Sequence, residues 1–227
     1  MQTSVVMSGI GGQGIVVGTK LIGHAATRAG RYCLHYAMYG GEMRGTKCEC
    51  SMTVSNEPVA APPLVSRPDV AIIMHPESFK PLAPAITPGG LGIVNSSLIA
   101  PGDIELRDDV EWLFLPVTDA GKAIGHVMVA TMVAIAAFSV ETGIVSVPDI
   151  RGALADVIPA YRHQLLEMDD AGLSAGEALA GKATATVIGR DGEGALDRAA
   201  IPPATADRAF RVSAGVDYRF ARAGARR

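Results

Sequence analysis

Short apolar runs recur along the first half of the chain, at residues 3–7, 32–36, 48–54, 69–74, 91–94 and 111–115. Each is too short for an ordinary helix, and several are rich in β-branched side chains, so each is expected to form a strand. The runs at 3–7 and 69–74 have the look of parallel strands covered on both faces. Between the runs the period lengthens. Residues 15–29 put Val17, Leu21, Ala25 and Ala29 near one face of a helix, with Gly30 as its C-terminal cap. Pro76 opens a short helix after His75. Thr118 and Asp119 are placed to cap a helix through Ile124, and residues 126–141 form the most apolar helix, closed by Gly143. Ser146-Val147-Pro148-Asp149 starts a further helical stretch that Pro159 interrupts. Ser174-Ala175-Gly176-Glu177 has the spacing of a capping box. Strands alternating with helices predict an α/β fold: a mainly parallel, Rossmann-like sheet with helices on both faces, a helical C-terminal region and an extended tail. The domain is expected to occupy residues 1–181. Residues 182–227 show no sustained apolar period, carry Pro202-Pro203 and scattered arginines, and read as an extension that orders against a partner.

Composition narrows the picture. The chain has 227 residues, 48% hydrophobic and 19% charged, with a net charge of -3. That supports one sizeable core and argues against a nucleic-acid partner. Aromatic residues make up only 5%, too few for base-stacking surfaces. Cys33, Cys48 and Cys50 cannot form an even disulfide framework, nor supply four thiolates to an iron–sulfur cluster. A reducing, cytoplasmic setting follows. The apolar run at 127–140 is too short to span a bilayer, and no signal segment opens the sequence.

The candidate chemistry begins at Gly9-Ile10-Gly11-Gly12-Gln13-Gly14. Gly9, Gly11 and Gly14 have the spacing of the phosphate-binding turn that precedes a helix, where free N–H groups and the positive dipole end attract an anion. A dinucleotide site also wants an acid at the end of the second strand, about 20 residues on. None stands there; the first is Glu42, in the next loop. This argues against an ordinary NAD enzyme and leaves two readings open: a turn that holds a phosphate-bearing ligand, or glycines serving only helix–strand packing. The loop at 37–46 carries glycines, Glu42 and Arg44 without helical or strand period. Arg44 could pair with a carboxylate or phosphate through its rigid fork, or simply with Glu42 at the surface. Cys48 and Cys50 fall on one strand face and read as small buried hydrophobes. Asn95-Ser96-Ser97 sits at a strand's carboxyl end, where α/β sheets gather ligands, though loop hydrogen bonding would serve as well.

Taken together, Gly9-Ile10-Gly11-Gly12-Gln13-Gly14, Tyr39-Gly40-Gly41-Glu42-Met43-Arg44-Gly45, Val54-Ser55-Asn56-Glu57-Pro58, Pro68-Asp69-Val70 and Pro88-Gly89-Gly90 with Val94-Asn95-Ser96-Ser97 resemble the gamma subunits of 2-oxoacid:ferredoxin oxidoreductases. The Glu-Met-Arg-Gly form is most like that of the 2-oxoisovalerate and 2-oxoglutarate enzymes. Thr46 and Thr131 depart from the glycine and asparagine common in the family. The resemblance implies oxidative decarboxylation of a 2-oxoacid with coenzyme A, giving an acyl-CoA, carbon dioxide and reduced ferredoxin. It implies alpha, beta and ferredoxin-like delta partner subunits. Thiamine diphosphate, magnesium and iron–sulfur clusters would reside on those partners and none on this chain alone. It implies catalytic roles for Arg44 and Glu42. Contacts to coenzyme A or the thiamine region would come from Gly9, Gly11, Gly12, Gln13, Gly14, Tyr39, Gly40, Gly45, Asn95 and Ser96. Beside it stand a free-standing Rossmann-like nucleotide-binding oxidoreductase and a non-catalytic scaffold subunit.

Overall fold

The computed structural model describes residues 2–39, 45–60, 64–183 and 187–188. Its strands are β1 (Gln2–Ile10), β2 (Tyr32–Tyr39), β3 (Lys47–Ser55), β4 (Val70–Ile73), β5 (Leu91–Asn95), β6 (Glu111–Leu115) and the two-residue β7 (Val187–Ile188). They form one sheet in the order β2-β3-β1-β4-β5-β6-β7. β1, β4, β5 and β6 pair in parallel, β3 runs antiparallel to both β1 and β2, and β7 runs antiparallel to β6. Five strands therefore share one direction and two oppose it, in keeping with the expected mainly parallel α/β sheet.

The helices are α1 (Ile15–Arg28), α2 (Pro76–Leu82), α3 (Val117–Ile124), α4 (Ala130–Thr142), α5 (Val147–Val157) and α6 (Leu166–Ala183). They cover the two faces unequally. On one face, α1, α4, α5 and α6 bury Val5, Met7, Ile72, Ile93, Leu113 and the cysteines of β3 in the larger core. On the other, α2 and its neighbouring loops bury Val6, Ala71, Ile73, Val94, Trp112 and Phe114. Within β1, β4, β5 and β6 the apolar residues alternate between these two cores, which is the pleat at work. α4 is buried on nearly every side, because it lies between the sheet and α6. Two glycines of α6 allow that contact: a Cβ on Gly172 or Gly176 would collide with Val129 or the Val133 carbonyl of α4. Among the described residues no helix is long and apolar enough to cross a membrane.

Several local expectations shift. β1 continues through Ser8, Gly9 and Ile10, and β2 through Ala37, Met38 and Tyr39, because β3 offers each of those residues a partner. α1 buries Ile15, Gly18, Thr19, Leu21, Ile22, Ala25 and Ala26, while Val17 is half-buried and Ala29 exposed. Gly30 ends the helix as expected, at φ 74°, with Arg31 N–H donating to the Ala26 carbonyl. Thr118 and Asp119 lie within the first turn of α3 rather than capping it; Ser97 Oγ accepts from the Asp119 N–H instead. His126 caps a 3-10 turn (Val127–Val129) that precedes α4. Ser174 starts no helix: it lies inside α6, its hydroxyl donating back to the Asp170 carbonyl. His75 is an N-cap, accepting from the Glu77 N–H.

Two outcomes test this packing. Gly176→Ala places a methyl against Val133 and should cost about 1–3 kcal/mol despite alanine's better helix propensity. Gly181→Ala, with open space around the position, should gain roughly 0.5–1 kcal/mol; thermal melts of both variants compare the two. Near the end of α4, burial first and the Glu111 carboxylate second push the Glu141 carboxyl up to about 7. Between the ordinary carboxylate value and about 7 the unfolded chain releases this proton while the fold keeps it. Stability should therefore fall as pH rises through that window and level off above it. Glu141→Gln should flatten the profile, gaining on the order of 1–3 kcal/mol at about pH 8 and little at about pH 4, as read by chemical denaturation.

Candidate functional site

Beyond Ile10 the chain turns through Gly11, Gly12 and Gln13 into α1. Gly12 and Gly14 hold φ of 102° and 82°, a left-handed backbone that favours glycine. Gly9 plays another part: it lies in β1, where a Cβ would collide with the Gln13 amide and approach Met74 Cβ at 3.1 Å. Gly9 thus serves packing, while Gly12 and Gly14 make the turn.

The turn is pinned from beneath. Gln13 Oε1 accepts from the Ile10 N–H at 2.9 Å, and Gln13 Nε2 donates to the Met74 carbonyl at 3.2 Å. The Gln13 carbonyl accepts from the Thr131 hydroxyl of α4. Asn95, buried at the end of β5, donates to the same Met74 carbonyl at 3.1 Å and to Thr118 Oγ1 at 2.8 Å. The side chains of Gln13 and Asn95 therefore tie together the carboxyl ends of β1, β4 and β5 rather than lining an open surface. Ser96 is half-buried, its N–H donating to the Leu115 carbonyl.

The second motif meets the first. The Gly11 N–H donates to the Thr46 carbonyl at 2.8 Å, and the Gly45 N–H to the Gly11 carbonyl at 3.3 Å. Gly45 has φ 77°. Tyr39 pairs with Cys48 in the β2–β3 hairpin. Gly40, Gly41, Glu42, Met43 and Arg44 lie outside the described residues, but Arg44 is covalently next to Gly45, hence one residue from the turn.

Beside this junction lies a cleft of about 340 Å³. Gly11, Gly12 and Gly14 form one side of it; Val17, Thr46, Cys48 and Met128 are among the others. Asn95, Ser96 and Gln13 do not line it. Thr46 lay at the end of the loop singled out from the sequence, but Met128 escaped that reading. Met128 could not have been found there, since only the packing of the 3-10 turn before α4 brings it to the cleft. At the cleft the N-terminus of α1 has no side-chain cap and no acid in its first turn. Its free N–H groups and dipole are available to an anion, while the side chains around them are mostly apolar. Burial raises the Cys48 thiol above its ordinary value and Cys50 to about 11, so neither is a thiolate at neutral pH. The three cysteines are free, and among the described residues no group of three or more His, Cys, Asp or Glu could hold a metal ion.

The missing ribose acid has a structural reason. In a dinucleotide fold β2 lies directly beside β1, within reach of the ribose. Here β3 stands between them, so the end of β2 is one strand spacing, about 4.8 Å, further away. Thr131→Val should leave the half-buried Gln13 carbonyl without its donor and cost about 1 kcal/mol, while Thr131→Ser should retain most of the wild-type melting temperature.

The chain matches the family described as Pyruvate ferredoxin/flavodoxin oxidoreductase over residues 4–193. It is 29% identical over 164 residues to the 2-oxoglutarate synthase subunit KorC of Methanothermobacter thermautotrophicus, a match covering 70% of this chain and 86% of that one. The gamma subunit of a keto/oxoacid ferredoxin oxidoreductase from Geobacter sulfurreducens superposes with a TM-score of 0.69 at 22% identity, covering 81% of this chain and 98% of that one. A 2-oxoglutarate:ferredoxin oxidoreductase from Magnetococcus marinus, solved with 2-oxoglutarate, coenzyme A and succinyl-CoA bound, also gives 0.69 at 22% identity. It is covered over only 31% of its length, against 80% of this chain. At such identities the two structures speak for the fold, and the family match speaks for descent. This chain belongs to the pyruvate ferredoxin/flavodoxin oxidoreductase family, as a gamma-type subunit of a 2-oxoacid:ferredoxin oxidoreductase.

Proposed function

We propose that this subunit forms a wall of the active-site region of an assembly that oxidatively decarboxylates a 2-oxoacid and passes the acyl group to coenzyme A. In this reading it binds the anionic part of coenzyme A, or of the thiamine diphosphate held by a partner, at the Gly11–Gly14 turn. The observation that carries it is the uncapped N-terminus of α1, opening on a largely apolar cleft and joined by backbone hydrogen bonds to Gly45. A phosphate needs the N–H groups, and a long pantetheine arm suits apolar walls. Arg44, next to Gly45, supplies a guanidinium to the same ligand, with Glu42 orienting it.

Thiamine diphosphate, its magnesium and the iron–sulfur clusters belong in this reading to alpha, beta and ferredoxin-like delta subunits, with ferredoxin as acceptor, because the described residues here offer no donor set for them. Thiamine diphosphate supplies carbanion stabilisation when bound to its own subunit. What this chain contributes is orientation of the anionic ligand, a dry wall around it and positive potential from α1. The scaffold reading also keeps a footing. Gly9 serves packing, and the Gln13 amide is engaged within the turn, so part of the glycine motif is structural whatever the ligand.

Gly12→Asp separates the two. A carboxylate at φ 102° is strained and repels an anion, yet nothing within 4 Å opposes its Cβ. In the assembled enzyme, with native mass spectrometry showing all subunits in place, it should raise KM for coenzyme A or lower turnover by about tenfold or more. Unchanged turnover and KM in an intact assembly would leave the scaffold reading standing.

A further inference from the structure

The described sheet ends on one side at β2, which pairs with β3 alone. Every second residue of such an edge strand turns its N–H and C=O outward. Natural edges are guarded by lysines, other charges, prolines or bulges. β2 has none of these: it reads Tyr-Cys-Leu-His-Tyr-Ala-Met-Tyr, paired with β3 at every one of its residues. Among the described residues, one face of it is also only partly covered. Tyr32, Tyr36 and Met38 alternate along that face at 49%, 42% and 44% exposure. Across from them the same face of β3 carries Ser55, Ser51 and Glu49. An eight-residue, unguarded, partly aromatic edge is a place where a strand is expected to dock.

One segment of this chain has the matching pattern. Residues 210–220 read Phe-Arg-Val-Ser-Ala-Gly-Val-Asp-Tyr-Arg-Phe. Phe210, Val212, Ala214, Val216, Tyr218 and Phe220 alternate strictly with polar residues or glycine. This is the period of a half-buried strand, and an exception to the otherwise aperiodic tail. The chain leaves the described sheet at β7, six strand positions from β2, a distance of about 29 Å. Residues 189–209 can span up to about 70 Å when extended. The connection is therefore long enough to pass from one edge of the sheet to the other.

We propose that residues 210–220 add to the free edge of β2 in the same molecule, as a further strand. Their apolar face extends the row of Tyr32, Leu34, Tyr36 and Met38 by cross-strand pairing, and their backbone satisfies the outward N–H and C=O groups of β2. The polar face of the segment, with Arg211 and Arg219, turns to the opposite side of the sheet. The inference does not depend on the function proposed for the cleft.

The test is amide hydrogen exchange of the peptide covering residues 32–39, in the full chain and in a Val212→Pro/Val216→Pro variant of it. The substitutions remove two backbone donors from the segment and leave the described residues untouched. Exchange in 32–39 should be at least about tenfold faster in the variant, with the peptides of β4, β5 and α4 unchanged, and the full chain should be a monomer by light scattering. Equal exchange in both proteins would overturn the proposal. So would a dimer whose dissociation alone exposes 32–39, which would give the edge to a second copy. Protection found only in the assembled enzyme, and unaffected by the substitutions, would give it to a partner subunit.

Discussion

The contact of α4 with the turn before α1 is the constraint on which the site depends. Thr131 donates its hydroxyl to the Gln13 carbonyl, and its Cβ and methyl group lie where side chains on Gly14 and Gly18 would otherwise stand. A side chain at Gly18 would collide with the Thr131 methyl at 2.5 Å and push the two helices apart, while one at Gly14 would crowd the Thr131 hydroxyl at 3.2 Å and strain a backbone at φ 82°. Because α4 is apolar on nearly every side, it can be seated only in the interior, so whatever it holds is held rigidly. The same economy of bulk recurs on its far side, where Gly172 and Gly176 bring α6 into contact.

The Gln13 carbonyl and side chain are held within the fold, and the Gly11 and Gln13 N–H groups donate to the Thr46 and Ile10 carbonyls, so what the cleft meets is the Gly12–Gly14 backbone and the first turn of α1. Two side-chain amides, from Gln13 and Asn95, converge on the Met74 carbonyl and stitch three parallel strands at their carboxyl ends. These hydrogen bonds hold the turn in one geometry, which is what preorganisation for the proposed anion would require. The residues a motif search would assign to the ligand thus divide into two groups. Gly11, Gly12 and Gly14 face the cleft, while Gly9, Gln13 and Asn95 hold them there.

Insertion of β3 between β1 and β2 has three consequences of one origin. It moves the end of β2 away from the place where a dinucleotide's ribose would lie. It brings Gly45 and Thr46, at the entry to β3, onto Gly11. It also leaves β2 as an outer strand with aromatic side chains exposed. A departure from the simple parallel order therefore both builds the candidate site and leaves β2 at the edge of the described sheet.

The sequence by itself determined the elements and their class. Runs such as 69–74 and 91–94 marked strands, Gly30 and Gly143 marked helix ends, and Ser146 with Asp149 marked a start, because these signals act within one or two turns of chain. The two glycine motifs and their family were legible for the same reason: backbone conformation at Gly12, Gly14 and Gly45 is a local requirement. Strand order was not legible, since nothing local says that β3 pairs between β1 and β2. Nor was the false capping box at Ser174, whose hydroxyl found the Asp170 carbonyl inside a helix held by α4. The division of labour within the glycine motif was equally hidden. Whether Gly9 or Asn95 meets a ligand or a neighbour depends on Met74, Thr118 and Thr131, which are distant in sequence and adjacent only after the layers have packed.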